Sequence, residues 1–311
     1  MEIFNRLDNL PLRYRGGVLS IGKFDGLHLG HARIMACATE TARRLGAPSI
    51  VFTFSPAPAR LLRPETASEP LTDPDDKRAL IEAAGVDALV EVPTTLRFLS
   101  QTADEFFSRV VVEKLGAVGM VEGKGFSFGR DCEGTERRLR ELAERRHIEL
   151  TIVPSVAIAG TIVSSSVIRE ALRNGDVALA AKMLGRRYRV RGVVGRGDMR
   201  GRTLGFPTAN LTGTKVFLPG DALYAAIART SDGIARPAAI NLGGNPTFGV
   251  EKRKIETHIL DFCGNLYDKP LELEFCAKIR DVVKFPDKET LLAQMNCDVK
   301  KTRELVQRAL S

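Results

Sequence analysis

Residues 22–31 read Gly-Lys-Phe-Asp-Gly-Leu-His-Leu-Gly-His, and this stretch decides the fold of the first half of the chain. The apolar run from Val18 to Ile21 precedes it and predicts a buried strand, whereas the segment from Ala32 to Ala38 predicts a helix. A strand therefore ends in a glycine-rich turn, and a helix begins beside two histidines. The free backbone N–H groups and the positive dipole end of such a helix favour phosphate.

The turn carries residue types that suit a polyphosphate ligand. Gly22, Gly26 and Gly30 allow the backbone to approach a ligand closely. His28 and His31 are three residues apart, so both can face that ligand and donate to charge that grows in a transition state. The alternative is that one histidine caps the helix and the other packs against it.

Length and composition indicate a globular protein of two domains. The chain has 311 residues, of which 44% are apolar and 27% charged. No apolar run approaches the length needed to span a membrane, and the first residues do not form a secretory signal. The five cysteines are scattered without the spacing of a zinc site or a disulfide framework, which predicts reduced thiols and a cytoplasmic location.

The positive charge of the chain is concentrated in its second half. Residues 1–186 carry 25 basic and 24 acidic side chains, whereas residues 187–311 carry 21 and 14. The excess of basic side chains in residues 187–311 could bind nucleic acid or polyphosphate substrates, or could simply face water. Because the chain has no Trp and only four Tyr, it lacks the residues of a base-stacking platform, and we expect no nucleic-acid partner.

Short apolar runs alternate with helical stretches up to residue 153, which predicts a parallel sheet covered on both faces. A second phosphate signal follows at Ser164, Ser165 and Arg169. Hydroxyls at a helix start can cap N–H groups or bind phosphate, and a nearby arginine can clamp it. The alternative is a plain serine N-cap followed by a surface arginine. We place the first domain at 1–186.

The second domain, 187–311, has a different pattern. Short alternating runs separated by turns predict an antiparallel barrel or sandwich, and residues 287–310 predict a closing helix. A segment rich in glycine leads to Gly205, Pro207, Thr208 and Asn210. The Thr and Asn oxygens suit Mg²⁺ beside a phosphate, although a bland turn has the same composition.

Two sets of motifs resemble the prokaryotic bifunctional riboflavin kinase/FAD synthetase family. The stretch 22–31 is similar to its Gly-x-Phe-Asp-Gly-x-His-x-Gly-His signature, and residues 163–169 are similar to its Ile-Ser-Ser-Thr-x-Ile-Arg motif. The resemblance adds Phe24 and Asp25 to the expected nucleotide-binding residues. Ala57 and Gly125 depart from the family pattern, in which a histidine and an Asn or Asp usually stand.

The second half carries the more specific resemblance. The run from Gly201 to Asn210, which includes Arg202 and Thr203, resembles the riboflavin kinase signature, and the loop from Asn241 through Pro246, Thr247 and Phe248 resembles the segment near the flavin. A lone strand glutamate usually faces solvent, but Glu256 lies in a segment similar to the family's Glu-x-His strand, where the glutamate is the kinase base. His258 is a neighbouring candidate on the same strand face.

The resemblance implies a Rossmann-like nucleotidyltransferase domain followed by a riboflavin kinase-like barrel. It implies ATP and Mg²⁺, with riboflavin, FMN and FAD as substrates and products, and a monomer or weak oligomer. Glu256, His28 and His31 are the expected catalytic residues, with metal bound by Thr208 and Asn210. Two alternatives are a riboflavin kinase with a degenerate first domain, suggested by Ala57 and Gly125, and a non-catalytic flavin- or RNA-binding protein.

Overall fold

A six-stranded parallel sheet organises the first half of the chain. The structure, a computed structural model, describes residues 1–197, 201, 204–245 and 250–310. Five residues of the predicted motifs lie outside this described part, namely Arg202, Thr203, Pro246, Thr247 and Phe248.

The strand order of this sheet reverses direction at the strand that comes second in the sequence. Its members are β1 (Glu2–Phe4), β2 (Val18–Ile21), β3 (Ser49–Ser55), β4 (Ala88–Pro93), β5 (Gly119–Gly123) and β6 (Glu149–Val153). Their order is β1-β4-β3-β2-β5-β6, with every pair parallel. The order runs one way from β2 through β3 and the other way through β5. Open parallel sheets bind ligands in the crevice beyond the carboxyl ends of their strands at such a point.

Helices cover both faces of this sheet, as the alternating sequence predicts. They are α1 (Leu29–Leu45), α2 (Pro58–Leu62), α3 (Pro74–Ala83), α4 (Leu96–Leu99), α5 (Ala103–Phe106), which continues as a π-helical segment (Phe107–Lys114), and α6 (Glu136–Arg145). Leu19 and Phe52 pack with Phe106 on one face, and Val51 packs with Met35 of α1 on the other. Short 3₁₀ segments occupy Leu7–Asn9, Leu12–Tyr14 and Arg130–Cys132, and a small hairpin joins β7 (Ala157–Ile158) to β8 (Thr161–Ile162).

The second half forms a closed antiparallel barrel. Its strands are β9 (Arg189–Gly195), β10 (Ala209–Thr212), β11 (Ala222–Arg229), β12 (Ala235–Asn245), β13 (Val250–Ile259) and β14 (Pro270–Arg280). They follow the order β10-β13-β12-β11-β14-β9, and β9 pairs with β10 to close the ring. Helices α7 (Ser165–Arg173) and α8 (Val177–Leu184) precede the barrel, and α9 (Lys288–Leu310) follows it. The barrel and the closing helix are both confirmed, since Val306 of α9 packs with Leu223 and Ile227 of β11.

The chain divides into two compact units at a point earlier than the sequence indicates. One unit comprises Met1–Ser68 and Thr72–Val163, and the other comprises Glu69–Leu71 and Ser164–Ser311. Helices α7 and α8 belong to the same unit as the barrel, and the Gly220 N–H donates to the Leu172 carbonyl of α7 at 2.8 Å. As a boundary between functional domains, residue 186 stays a prediction. Among the described residues, no helix has the length and apolar character that crossing a membrane requires.

Candidate functional sites

The turn after β2 is tightly folded at the switch point of the sheet. The Gly22 N–H donates to the Phe52 carbonyl at 3.0 Å, which extends the pairing of β2 with β3 into the turn. Phe24 (φ 46°) and Leu27 (φ 35°) both adopt left-handed backbone although neither is glycine. Such conformations cost free energy and persist where the surroundings enforce them. Both side chains are buried, so their packing stabilises the conformation of the turn that leads into His28 and His31.

The two predicted histidines are stacked at the start of α1. Their ring centroids lie 3.7 Å apart with the planes inclined by 17°. His28 is the N-cap of the helix, and its Nδ1 accepts the His31 backbone N–H at 3.4 Å. Because Nδ1 accepts, the neutral His28 ring carries its proton on Nε2. A Cβ at Gly30 would lie 3.1 Å from the His28 ring, so the glycine makes room for this stacking.

His31 is held as a neutral imidazole. Burial, the neighbouring His28 and the charge of Lys77 lower the pKa of His31 to about 3. The Phe24 ring packs edge-on against it with centroids 5.3 Å apart. Its Nδ1 is buried and has no hydrogen-bond partner among the described residues. Without a ligand, His31 is therefore neutral at neutral pH, and a neutral imidazole can donate one hydrogen bond.

Lys77 is a neighbour of this site that the sequence did not single out, because a lysine on an amphipathic helix usually faces water. It lies in α3, and its Nζ donates to Thr53 Oγ1 at 2.8 Å. Burial lowers its pKa, while the charges of Glu91 and Asp25 oppose that shift. The predicted binding residue Asp25 therefore lies within electrostatic reach of Lys77. The half-buried Lys77 also acts electrostatically on His31, whose pKa it lowers.

Glu122 is a second residue missed by the sequence reading, since a glutamate at the end of an apolar run predicts the start of a loop. The register of β2 with β5 ends at the Leu19–Met120 pair, although β2 pairs with β3 as far as Ile21. The Ile21 N–H donates instead to Glu122 Oε1 at 2.8 Å. Burial raises the pKa of Glu122 well above its usual range, an effect that the Ile21 hydrogen bond opposes. A side chain thus replaces backbone pairing where the two strands part.

The two departures from the family pattern occupy permissive positions. Ala57 is the exposed N-cap of α2 and makes no side-chain capping bond. Gly125 has φ +79° and open space around its missing side chain.

The predicted phosphate residues Ser164, Ser165 and Arg169 belong to the second unit. Ser164 is the N-cap of α7, and its Oγ accepts the Val167 N–H at 3.3 Å. Arg169 donates through Nε and Nη2 to the Glu69 carbonyl at 3.2 and 3.1 Å. The serine therefore makes the plain capping contact, and the arginine binds backbone within its own unit.

Three predicted residues form one row across the barrel. Glu256 in β13 lies opposite Asn210 in β10 on one side and opposite Asn241 in β12 on the other. Opposed residues of antiparallel strands point to the same face, with Cβ atoms about 5 Å apart. Ile255 and Thr257 are buried, so Glu256 and its two amide neighbours lie on the outer face.

A folded loop leads into this row. The N–H groups of Leu204 and Phe206 both donate to the Gly201 carbonyl, at 3.1 and 2.9 Å. Gly205 has φ +84°, which glycine adopts without strain. Pro207 and Thr208 follow, and Thr208 lies two residues before Asn210. The loop thus ends at Thr208, immediately before β10 and two residues before the Asn210 of the glutamate row.

The donor set at this place fits Mg²⁺. Thr208 and Asn210 supply a hydroxyl and an amide oxygen, and Mg²⁺ takes few protein ligands while retaining water and phosphate oxygens. Within the described part of the chain, no group of three or more His, Cys, Asp or Glu side chains could hold a metal ion. Such an ion would therefore depend on substrate phosphate for part of its coordination.

Comparisons with known proteins cover both halves of the chain. The FAD synthetase family model matches residues 11–167, and the riboflavin kinase model matches residues 184–306. The chain is 36% identical over 306 residues to the bifunctional riboflavin kinase/FMN adenylyltransferase of Pseudomonas fluorescens, with 98% of each chain covered. It is 31% identical over 305 residues to that of Escherichia coli K12, covering 98% of this chain and 97% of the other. A crystal structure described as a macrolide-efflux protein from Streptococcus pneumoniae matches with a TM-score of 0.85 at 29% identity, over 97% of this chain and 98% of that one.

Proposed function

This chain belongs to the family of bifunctional riboflavin kinase/FMN adenylyltransferases, and we propose from that premise which residues carry its two reactions. Its riboflavin kinase domain transfers a phosphoryl group from ATP to riboflavin and gives FMN. Its FAD synthetase domain adenylylates FMN with ATP and gives FAD and pyrophosphate. The match of two family models to successive parts of one chain is the observation that carries this function.

In the barrel, Glu256 is the base for phosphoryl transfer. Its carboxylate takes the proton of the ribityl 5′-hydroxyl as that oxygen attacks the γ-phosphorus of ATP, and ADP leaves. The row formed with Asn210 and Asn241 supports this role, because two amides can orient the hydroxyl beside the carboxylate. Thr208 and Asn210 would hold Mg²⁺, which offsets charge on the phosphates when bound. Gly205 and Pro207 shape the loop that approaches the nucleotide.

In the sheet domain, the FMN phosphate attacks the α-phosphorus of ATP, and pyrophosphate leaves. His28 donates from Nε2 and His31 donates as a neutral ring to the oxygens on which charge grows. Gly22, Phe24, Asp25, Gly26 and Gly30 form the turn that seats the nucleotide. Ser164, Ser165 and Arg169 stay the residues that the sequence predicts for polyphosphate binding. The stacked pair at a helix N-terminus supports it, since backbone N–H groups and the helix dipole favour the same anion.

The family match favours two working domains over the alternative of a kinase with a degenerate first domain, because the FAD synthetase model spans residues 11–167. Ala57 and Gly125 are then tolerated departures. The alternative of a binding protein without catalysis is disfavoured for the same reason. A cytoplasmic location, a monomeric or weakly oligomeric state and the absence of a nucleic-acid partner stay predictions of the sequence.

Product analysis tests the function. The purified protein is incubated with ATP, Mg²⁺ and either riboflavin or FMN, and the flavins are separated by chromatography. We expect FMN and FAD from riboflavin and FAD from FMN. Conversion of riboflavin to FMN with FMN left unchanged would restore the kinase-only alternative, and no product from either flavin would contradict the proposal.

A further inference from the structure

His258 contacts the loop that leads to Thr208. It lies two residues after Glu256 in β13, on the same outer face, opposite Ala239 of β12. Its Nδ1 is 2.8 Å from the Pro207 carbonyl oxygen. A carbonyl can only accept, so Nδ1 carries the proton and donates. This contact joins residues that are 51 positions apart in the chain.

The same ring makes a second contact with the loop. Phe206 packs against it in an edge-to-face arrangement, with centroids 5.5 Å apart and planes inclined by 69°. His258 therefore holds two consecutive residues of the loop, one by its ring and one by its N–H. A side chain at Gly201 would overlap the Phe206 carbonyl, so the backbone at Gly201 packs closely against the backbone at Phe206.

The group that His258 binds is well placed to orient Thr208. The Pro207 carbonyl belongs to the peptide unit whose nitrogen is that of Thr208, and a peptide unit is planar. Fixing that carbonyl fixes the peptide plane that contains the nitrogen and Cα of Thr208, to which its side chain is attached. Thr208 then leads through Ala209 to Asn210, which is locked opposite Glu256 by strand pairing.

We propose that His258 is a positioning residue of the kinase site, which orients the Thr208 hydroxyl toward the nucleotide through the Pro207 carbonyl. The inference rests on the proposed function of the barrel. His258 touches neither reactant in this account. Its loss therefore weakens nucleotide binding more than it slows the proton transfer to Glu256.

Three substitutions of His258 separate this role from others. In His258→Asn the side-chain amide N–H₂ can reach roughly the position of Nδ1, whereas in His258→Gln it reaches roughly the position of Nε2. In His258→Phe the ring still packs against Phe206, but the hydrogen-bond donor is lost. We expect His258→Phe to raise the KM for MgATP in FMN formation about five- to tenfold, the worth of one neutral hydrogen bond, with kcat changed less. His258→Asn should recover most of that loss, and His258→Gln should not.

Amide hydrogen exchange supplies a readout that does not depend on turnover. In the substrate-free protein, His258→Phe should speed exchange of the Leu204 and Phe206 amides, which donate to Gly201 in the native loop. FAD formation from added FMN should stay unchanged in all three variants. His147→Asn is the matched control, because His147 is exposed, and Asn tolerates its left-handed backbone.

The outcomes that overturn the inference differ from those that overturn the function. Absence of FMN formation by the unmodified protein contradicts the proposed function, and the exchange measurement still tests the loop contact. If the unmodified protein is active, equal KM values for the Asn and Gln variants contradict the positioning role. A fall in kcat alone, without rescue by Asn, would make His258 a catalytic group instead.

Discussion

Asn210 and Glu256 stand directly opposite each other where β10 pairs with β13. This relationship is fixed by the backbone ladder of a closed barrel and not by a loop, so the carboxylate and the amide keep their register. Asn241 stands opposite the same glutamate from β12, which makes Glu256 the centre of the row. The backbone position of Glu256 is thus set by the barrel before any substrate arrives.

Glu256→Ala should strongly slow FMN formation while leaving the adenylylation of added FMN intact. Loss of a general base typically lowers kcat about a hundredfold to ten-thousandfold. Initial rates of the two reactions, measured on the same preparation, check this expectation. Glu289→Ala, at an exposed position in the first turn of α9, is the control and should retain both rates. Retention of FMN formation by Glu256→Ala would remove the glutamate from the mechanism.

His28→Ala should have the converse effect. Removing one donor to a developing oxyanion costs about a hundredfold to a thousandfold in kcat. The N-cap acceptor of α1 is lost as well, which should lower the free energy of unfolding by about 1 kcal/mol. FAD formation from FMN and FMN formation from riboflavin are measured side by side. If both reactions fell together in a folded protein, the histidine would not belong to one site alone.

His31 should not titrate in the range where an ordinary histidine does. Its pKa is lowered from 6.5 to about 3, so the folded protein keeps the ring neutral while the unfolded chain takes up a proton below pH 6.5. The unfolded state then binds more protons between those values, and the contribution of His31 to stability falls as the pH falls through that window. Ring resonances of His31 followed by NMR from pH 8 to pH 5 should stay constant. A midpoint near 6.5 would show an exposed ring.

Glu122→Gln should stabilise the protein at alkaline pH. Burial raises the pKa of Glu122, so the folded state keeps a proton that the unfolded chain releases above pH 4.5. The stability that the protonated carboxyl contributes is present below that pH and is lost as the pH rises toward the folded-state pKa, by about 1.4 kcal/mol per pH unit. The amide removes this loss and can still accept from Ile21.

Thermal unfolding at pH 5 and pH 8 measures the effect of Glu122→Gln. The melting temperature of the variant, relative to the native protein, should be higher at pH 8 than at pH 5. Glu65→Gln, at an exposed position, should show no such dependence. An equal difference at both pH values would mean that Glu122 is charged in the folded state.

The sequence predicted the parts of the fold that follow from local patterning. The mainly apolar run of β2 and the alternation around Glu256 both predicted the correct strand type, because burial on two faces or one leaves a distinct pattern. The strand β1 has no such pattern, since its three residues are mostly exposed and only pairing with β4 defines it. The contact of α7 with the barrel leaves no local pattern, because the Gly220–Leu172 hydrogen bond links distant segments.

The motifs of the candidate sites were predictable from the sequence, but the hydrogen bonds and charge interactions around them were not. His28 and His31 are visible through their spacing from three glycines, and Glu256 through its strand segment. Lys77, Glu122 and the hydrogen bond of His258 to Pro207 depend on which strands and helices meet. A lone Lys or Glu has the same appearance in a sequence whether it is buried or exposed. Those contacts therefore required the three-dimensional structure.

The central claim is that two separate sites act in sequence through FMN, and a mixing experiment tests it most directly. Glu256→Ala and His28→Ala proteins are each incubated with riboflavin, ATP and Mg²⁺, first alone and then together. We predict little FMN or FAD from Glu256→Ala alone, FMN with little FAD from His28→Ala alone, and FAD from the mixture. A mixture that fails to make FAD, although each variant retains its other reaction, would contradict transfer through free FMN. Loss of both reactions in either folded variant would contradict the two-site account itself.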